Sequence, residues 1–287
     1  MEAGARTRCM ASYLVTGASS GIGEATALRL DADGHEVFAA VEPGSDTAGL
    51  ATASERLSIL ALDVTLPASI DAAVDEVTSR LAGRGLDGLV NNAGVGFPGP
   101  LELLALEDLR RQLDVNVIGQ VAMTQAMLPL VRQAAGRIVF VGSVGGILAS
   151  QFAGAYHASK FAIEAIGDVW RQELEPEGIE VILIEPSVIS TPIWSKAIAH
   201  LDELRQSTSP RMVRYRERLT AFRESLHSAD EHGKAPEDVA DVIAQALTAN
   251  KPNARYVVGA AGRFAAALRP LIPDRVADKF AERAAQP

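Results

Sequence analysis

The chain has 287 residues, 48% hydrophobic and 22% charged, an ordinary globular mix able to fill a sizeable core. A formal net charge of -9 argues against nucleic acid as a partner, because phosphate binding needs a concentrated positive surface. The single cysteine, Cys9, excludes an internal disulfide framework and suits a reducing compartment, so a cytoplasmic protein is expected.

Arg6 and Arg8 stand near the start with no apolar run behind them, so residues 1–10 read as a loose segment and not as a secretory signal. No apolar run approaches the ~20 residues of a transmembrane helix, and no integral membrane segment is expected. From Ser12 onward, short apolar runs at 13–16, 37–41, 57–62, 89–90, 137–141, 181–184 and 256–258 predict strands buried on both faces. Helix-like stretches lie between them at 23–33, 67–82, 106–134 and 155–175, with Pro67 placed to open the second. Seven strands with crossover helices imply a doubly wound α/β fold: a seven-stranded parallel sheet with helices on both faces. No Pro/Gly/Ser-rich linker interrupts the pattern, so residues 1–287 read as one domain.

The first strand ends in Thr16-Gly-Ala-Ser-Ser-Gly-Ile-Gly23. Gly17 permits a sharp exit, Gly21 lets a pyrophosphate approach the backbone, and Gly23 lets the next helix pack on the sheet. The helix that follows, from Gly23, points its N-terminal N–H groups at the phosphates, with Ser19 and Ser20 as added donors and Ile22 within the same turn. No Gly-Lys-Ser/Thr follows, which removes a Walker-type loop. After strand two, Glu42 stands where such a fold reads the adenosine ribose, and no Lys or Arg follows until Arg56. An acid there binds the 2′-hydroxyl of NAD and repels the 2′-phosphate of NADP, so NAD is favoured over NADP.

Tyr156 and Lys160 are four residues apart, on one face of a helix. A free tyrosine titrates near ~10, and a fixed ammonium beside it favours the phenolate. Ser143 closes the fifth strand, at the sheet edge where open α/β sheets place ligands, and can polarise a substrate oxygen.

These motifs, in this order, resemble the short-chain dehydrogenase/reductase family. The matching segments are the glycine turn at 16–23, Asn91-Asn-Ala-Gly94, Asn116, Ser143, and Tyr156 with Lys160. The resemblance implies a Rossmann fold and hydride transfer between a nicotinamide and a secondary alcohol or ketone. It makes Tyr156 the general acid/base, Ser143 the residue that orients the substrate oxygen, and Lys160 the residue that holds the nicotinamide ribose and depresses the tyrosine pKa. Asn116 would position a water linking Lys160 to solvent. The same carry-over gives Asp63 and Val64 to the adenine, Asn92, Ala93 and Gly94 to the cofactor cleft, and Pro186, Ile189 and Thr191 to the carboxamide side. It also implies a homodimer or homotetramer built on the helices holding Asn116 and Tyr156. Two departures stand out: Pro186-Ser187 replaces the family's Pro-Gly, and its acidic position ending strand two is Val41.

Residues 193–235 form a polar, helix-rich insertion read as a lid over the substrate. Ile193, Trp194, Ile198 and Leu201 either line its inner face, favouring an apolar substrate, or pack as ordinary core. Arg211, Arg214, Arg216 and Arg218 either grip an anionic tail or form a solvated face. His157, His200, His227 and His232 show no metal-ligand spacing, and no metal is assigned. The apolar stretch 264–273 covers the cleft, packs in an interface or touches a membrane surface. Two other functions remain open: a sugar-nucleotide epimerase or dehydratase, against which the glycine spacing speaks, and a non-catalytic nucleotide-binding scaffold, against which the intact Asn116, Ser143, Tyr156 and Lys160 speak.

Overall fold

The computed structural model describes residues 10–260, 262–264, 269 and 272–284. Cys9, the loose segment expected before Met10, and much of the 264–273 stretch lie outside the described residues. In chain order the elements are β1 (Ser12–Thr16), α1 (Gly21–Ala32), β2 (Glu36–Val41), β3 (Leu57–Ala61), α2 (Pro67–Leu81), β4 (Gly88–Asn91), α3 (Leu106–Leu113), α4 (Gln120–Ala134) and β5 (Arg137–Val141). There follow α5 (Gly154–Leu174), β6 (Glu180–Pro186), α6 (Ile193–Arg205), α7 (Arg216–His232), α8 (Pro236–Thr248), β7 (Arg255–Val258) and α9 (Asp274–Ala284).

All seven strands pair in parallel, in the order β3-β2-β1-β4-β5-β6-β7. The unbroken apolar runs follow from this, because side chains of period two are buried on both faces. Leu14, Leu89, Ile138 and Phe140 pack into a core with α2, α4 and α5. Their neighbours Val15, Val90, Val139 and Val141 pack into a second core with α1 and α8. Pro67 opens α2, as its missing N–H allows.

Two local features depart from the sequence pattern. The stretch 106–134 is not one helix: α3 passes into a wider π-helical turn at Asp114–Gly119 before α4 begins. The 193–235 stretch folds as α6 and α7 on an apolar cluster of its own, in which Ile198, Leu201, Leu219, Phe222 and Leu226 surround Phe152.

Phe140 is 0% exposed at the centre of the first core. Phe140→Ala is expected to cost about 3–5 kcal/mol, read as a lower urea midpoint at unchanged m-value.

Candidate active site

The strand order reverses between β1 and β4, so their C-terminal ends diverge and open a crevice. Thr16 and Asn92 tie the two sides of this switch point together. Thr16 Oγ1 accepts from Asn92 N and Ala93 N, both at 3.0 Å. In return, Asn92 Nδ2 donates to the carbonyls of Thr16 at 3.0 Å and Gly17 at 3.1 Å. Gly17 has φ +64°, and a Cβ there would stand 2.8 Å from Ala93 Cα. At Gly23 a Cβ would overlap the Gly17 carbonyl and stand 2.5 Å from Asn92 Nδ2. The glycines therefore answer to packing as much as to any ligand.

Ser20 makes no side-chain cap on α1, so the helix N-terminus faces the crevice bare. The crevice is a cleft of about 330 Å³ running from this turn past the ends of β4, β5 and β6. Every residue assigned from the sequence to cofactor or chemistry lines it, except Gly23, which packs behind Gly17. Asn91 instead points away and donates to Thr124 Oγ1 at 2.9 Å, a brace between β4 and α4.

At the β5 end, Ser143 leaves the strand in extended conformation and its Oγ accepts from Gly145 N at 2.9 Å. Lys160 is 5% exposed, and its ammonium donates to the Val141 carbonyl at 2.7 Å. Burial pulls its pKa down to about 8, with Glu164 opposing. The same nitrogen lies 5.8 Å from the centre of the Tyr156 ring. Burial raises the Tyr156 pKa above the ordinary 10.0, and hydrogen bonding from Ser143 only partly offsets it. The expected depression by Lys160 belongs to the cofactor-bound state; in the free protein desolvation is the largest effect on Tyr156. Tyr156 is a protonated phenol at neutral pH.

Asn116 lies in the π-helical turn, 0% exposed. Its Oδ1 accepts from Val95 N at 2.8 Å, while Nδ2 donates to Val95 O at 3.0 Å and Ser159 Oγ at 3.1 Å. Ser159 Oγ donates onward to the Tyr156 carbonyl at 2.7 Å, so Asn116 anchors the first turn of α5. His157 anchors the same turn from the other side. Its Nδ1 meets Gly145 O at 2.8 Å and its Nε2 accepts from Ser150 N at 3.0 Å, fixing the loop after Ser143. Burial lowers its pKa, so the neutral ring is held as this clamp. The histidine spacing tests only for a metal and so passes over this role of His157; its place next to Tyr156 is the available signal.

At the other end of the cleft, Arg111 of α3 sits 3.7 Å from Glu42 Oε1, and both line the wall. Arg111 also lowers the pKa of Asp63, behind hydrogen bonding from Thr65. The absence of a cation near Glu42 in sequence does not hold in space, because α3 returns to the end of β2. Of the four apolar residues of the insertion, Ile193 and Trp194 line the cleft, while Ile198 and Leu201 pack between α6 and α7. Arg211 pairs with Glu102, and Arg218 lies over Phe152 and Tyr215, on the outer face of the same unit.

A glycine turn at a parallel sheet's switch point, with serine, tyrosine and lysine gathered at the strand ends, defines a class of α/β oxidoreductases. The short chain dehydrogenase model matches residues 12–202. The chain is 35% identical over 273 residues to the NADPH-dependent 3-dehydrocapnine reductase of Ornithobacterium rhinotracheale, covering 93% of this chain and 94% of that one. It is 38% identical over 268 residues to retinol dehydrogenase 16 of Mus musculus, covering 88% and 84%. A crystal structure of a short-chain dehydrogenase from Streptomyces avermitilis superposes with TM-score 0.76 at 27% identity over 94% of both chains. The chain belongs to the short-chain dehydrogenase/reductase family of oxidoreductases. Among the described residues, no helix is long and apolar enough to cross a membrane.

Asn116→Ala strands Val95 N, takes one of two donors from Val95 O, which keeps Gln112 Nε2, and removes the donor to Ser159 Oγ. A stability loss of about 1–3 kcal/mol is expected, measured by thermal or urea unfolding of the free protein.

Proposed function

We propose that this protein binds a nicotinamide dinucleotide and reduces a ketone, or oxidises the matching secondary alcohol, with Tyr156 passing the proton. The observation that carries the reading is the half-buried Tyr156 phenol, gathered with Ser143 and the buried Lys160 ammonium at the strand ends. A bound nicotinamide supplies the hydride donor or acceptor.

The fit to a dinucleotide rests on the cleft itself. Gly17 and Gly21 leave the backbone bare at an uncapped helix N-terminus, which suits two phosphates. Asp63 and Val64 line the adenine end, Asn92, Ala93 and Gly94 the middle, and Pro186, Ile189 and Thr191 the carboxamide side. Lys160 has donors left after bonding Val141, enough to hold the ribose hydroxyls.

Ser143 would donate to the substrate oxygen and hold it against Tyr156. Because burial keeps the phenol protonated, the free protein is set as an acid, which suits ketone reduction. In the reverse direction the Lys160 ammonium favours the phenolate that must accept a proton. Phe97, Ile193 and Trp194 give the substrate end apolar walls, and the retinol dehydrogenase relative agrees with an apolar substrate. We read α6 and α7 as the cover over that end. Ile118, Phe161 and Val169 are exposed on the π-helical turn and α5, which supports assembly as a dimer or tetramer through those surfaces.

NAD remains the proposed partner of Glu42, but Arg111 offers a 2′-phosphate a cation once the acid is gone. Glu42→Ala is expected to shift the NADP/NAD ratio of kcat/KM upward by about tenfold, or 1.4 kcal/mol. Glu42→Ala with Arg111→Ala should lose that gain.

The chemistry is tested by Tyr156→Phe in a screen of ketones with NADH and NADPH. Turnover should fall by at least about a hundredfold. Quenching of protein fluorescence by NADH or NADPH should persist. Retained turnover would sink the mechanism.

A further inference from the structure

Behind the Tyr156–Lys160 pair lies a buried acid pair that the chemistry proposed above does not use. Glu164 is one helical turn past Lys160 on α5, and Glu185 stands on β6, 1% exposed. One arginine, Arg255 of β7, serves both: its Nε is 3.2 Å from Glu164 Oε2 and 3.1 Å from Glu185 Oε1. Its other arm is committed to Asp168 at 2.8 Å, which Arg171 also contacts at 2.8 Å. The charged groups facing Glu164 are thus Lys160 and Asp168 from its own helix, Glu185 from β6 and Arg255 from β7. The turn Val144–Gly146, packed on the remaining side, carries no titratable side chain.

The hydrogen bonding does not close if both acids are ionised. Glu164 Oε1 is buried without a hydrogen-bond partner among the described residues, and Glu185 Oε1 meets Arg255 as an ion pair but not in hydrogen-bond geometry. Carboxylates only accept, so two of them cannot satisfy each other; one carboxylic acid and one carboxylate can. Burial and the charge of Glu185 push the Glu164 carboxyl up to about 7, with Arg255 opposing. The proton therefore belongs on Glu164, donated toward Glu185, and leaves near neutral pH.

This acid reaches the floor of the catalytic edge. A Cβ on Gly142 would stand 2.8 Å from Glu164 Oε1. Gly142 separates Ser143 from Val141, whose carbonyl takes the Lys160 ammonium at 2.7 Å.

We propose that Glu164 and Glu185 share one proton, and that its release places a negative charge behind Lys160 that keeps the ammonium charged above neutral pH. Both acids are positioning residues that act through Lys160. Their link to turnover rests on the proton-transfer reading above; the charge coupling does not. The sign is fixed by the burial of Lys160. Desolvation pulls its pKa to about 8 and ionised Glu164 pulls it back up, so losing that charge lets it fall further.

The chain has five lysines, so ¹³C-lysine NMR of the cofactor-free protein can follow Lys160, assigned by its loss in K160R. In E164Q the Lys160 midpoint should fall by about half a unit to one unit. E164D, which keeps the charge, should recover at least part of that shift. E185Q leaves Glu164 without its like-charged neighbour, so Glu164 ionises at lower pH and the Lys160 midpoint stays near wild type. Infrared titration of the wild type should show a protonated-carboxyl band vanishing through about pH 7, and E164Q should lack it. An unmoved Lys160 midpoint in E164Q, or a wild type without that band, overturns the proposal. These readouts need neither substrate nor cofactor. A failure here is therefore separate from retained turnover in Tyr156→Phe, which would strike the catalytic reading instead.

Discussion

Lys160 donates a 2.7 Å hydrogen bond to the Val141 carbonyl from a side chain that is 5% exposed. Burying an ammonium is expensive unless polar groups meet it, and only a few positions in an α/β fold offer free main-chain acceptors in the interior. The C-terminal edge of a parallel sheet is one of them, because its last carbonyls have run out of strand partners. Much of the site follows from that placement. Tyr156 precedes Lys160 by one helical turn, Ser143 follows Val141 by two residues, and Glu164 closes the back of the same helical face.

Holding the start of α5 against the end of β5 requires clamps on both sides. Asn116 supplies one through Val95 and Ser159, and the wider turn at Asp114–Gly119 is what brings its amide inward. His157 supplies the other through Gly145 and Ser150. Thr16 and Asn92 do the same work across the switch point. Each clamp couples side chain to main chain, which suits an irregular edge where strand hydrogen bonds have ended. The result is a phenol that burial keeps protonated, beside a cation whose own charge is held against desolvation.

Much of this was legible in the sequence, and the parts that were not share a cause. The seven strands follow from apolar runs, and the Tyr156–Lys160 face from a spacing of four residues, both local signals. The glycine turn was also legible, although its tightness turns out to serve the Ala93 and Asn92 contacts as well. Pairing of Glu42 with Arg111 was not legible, since α3 lies far along the chain and only the crossover returns it to β2. The Glu164–Glu185–Arg255 group joins three elements, and each residue alone resembles a solvated surface charge. The rise in the Tyr156 pKa in the free protein is not legible for a different reason: a sequence names the neighbouring cation but not the burial of the phenol.

Burial makes Tyr156 an acid in the free protein, and the nearby Lys160 ammonium acts against that burial. Phenolate absorption, titrated as wild type minus Tyr156→Phe in the cofactor-free protein, measures this balance directly. Tyr156 should ionise above its ordinary 10.0, and higher still in Lys160→Met, because a cation 5.8 Å from the ring centre favours the phenolate. Ionisation below 10.0 in the free protein, or a titration indifferent to the loss of Lys160, would mean that neither burial nor this cation sets the state of Tyr156.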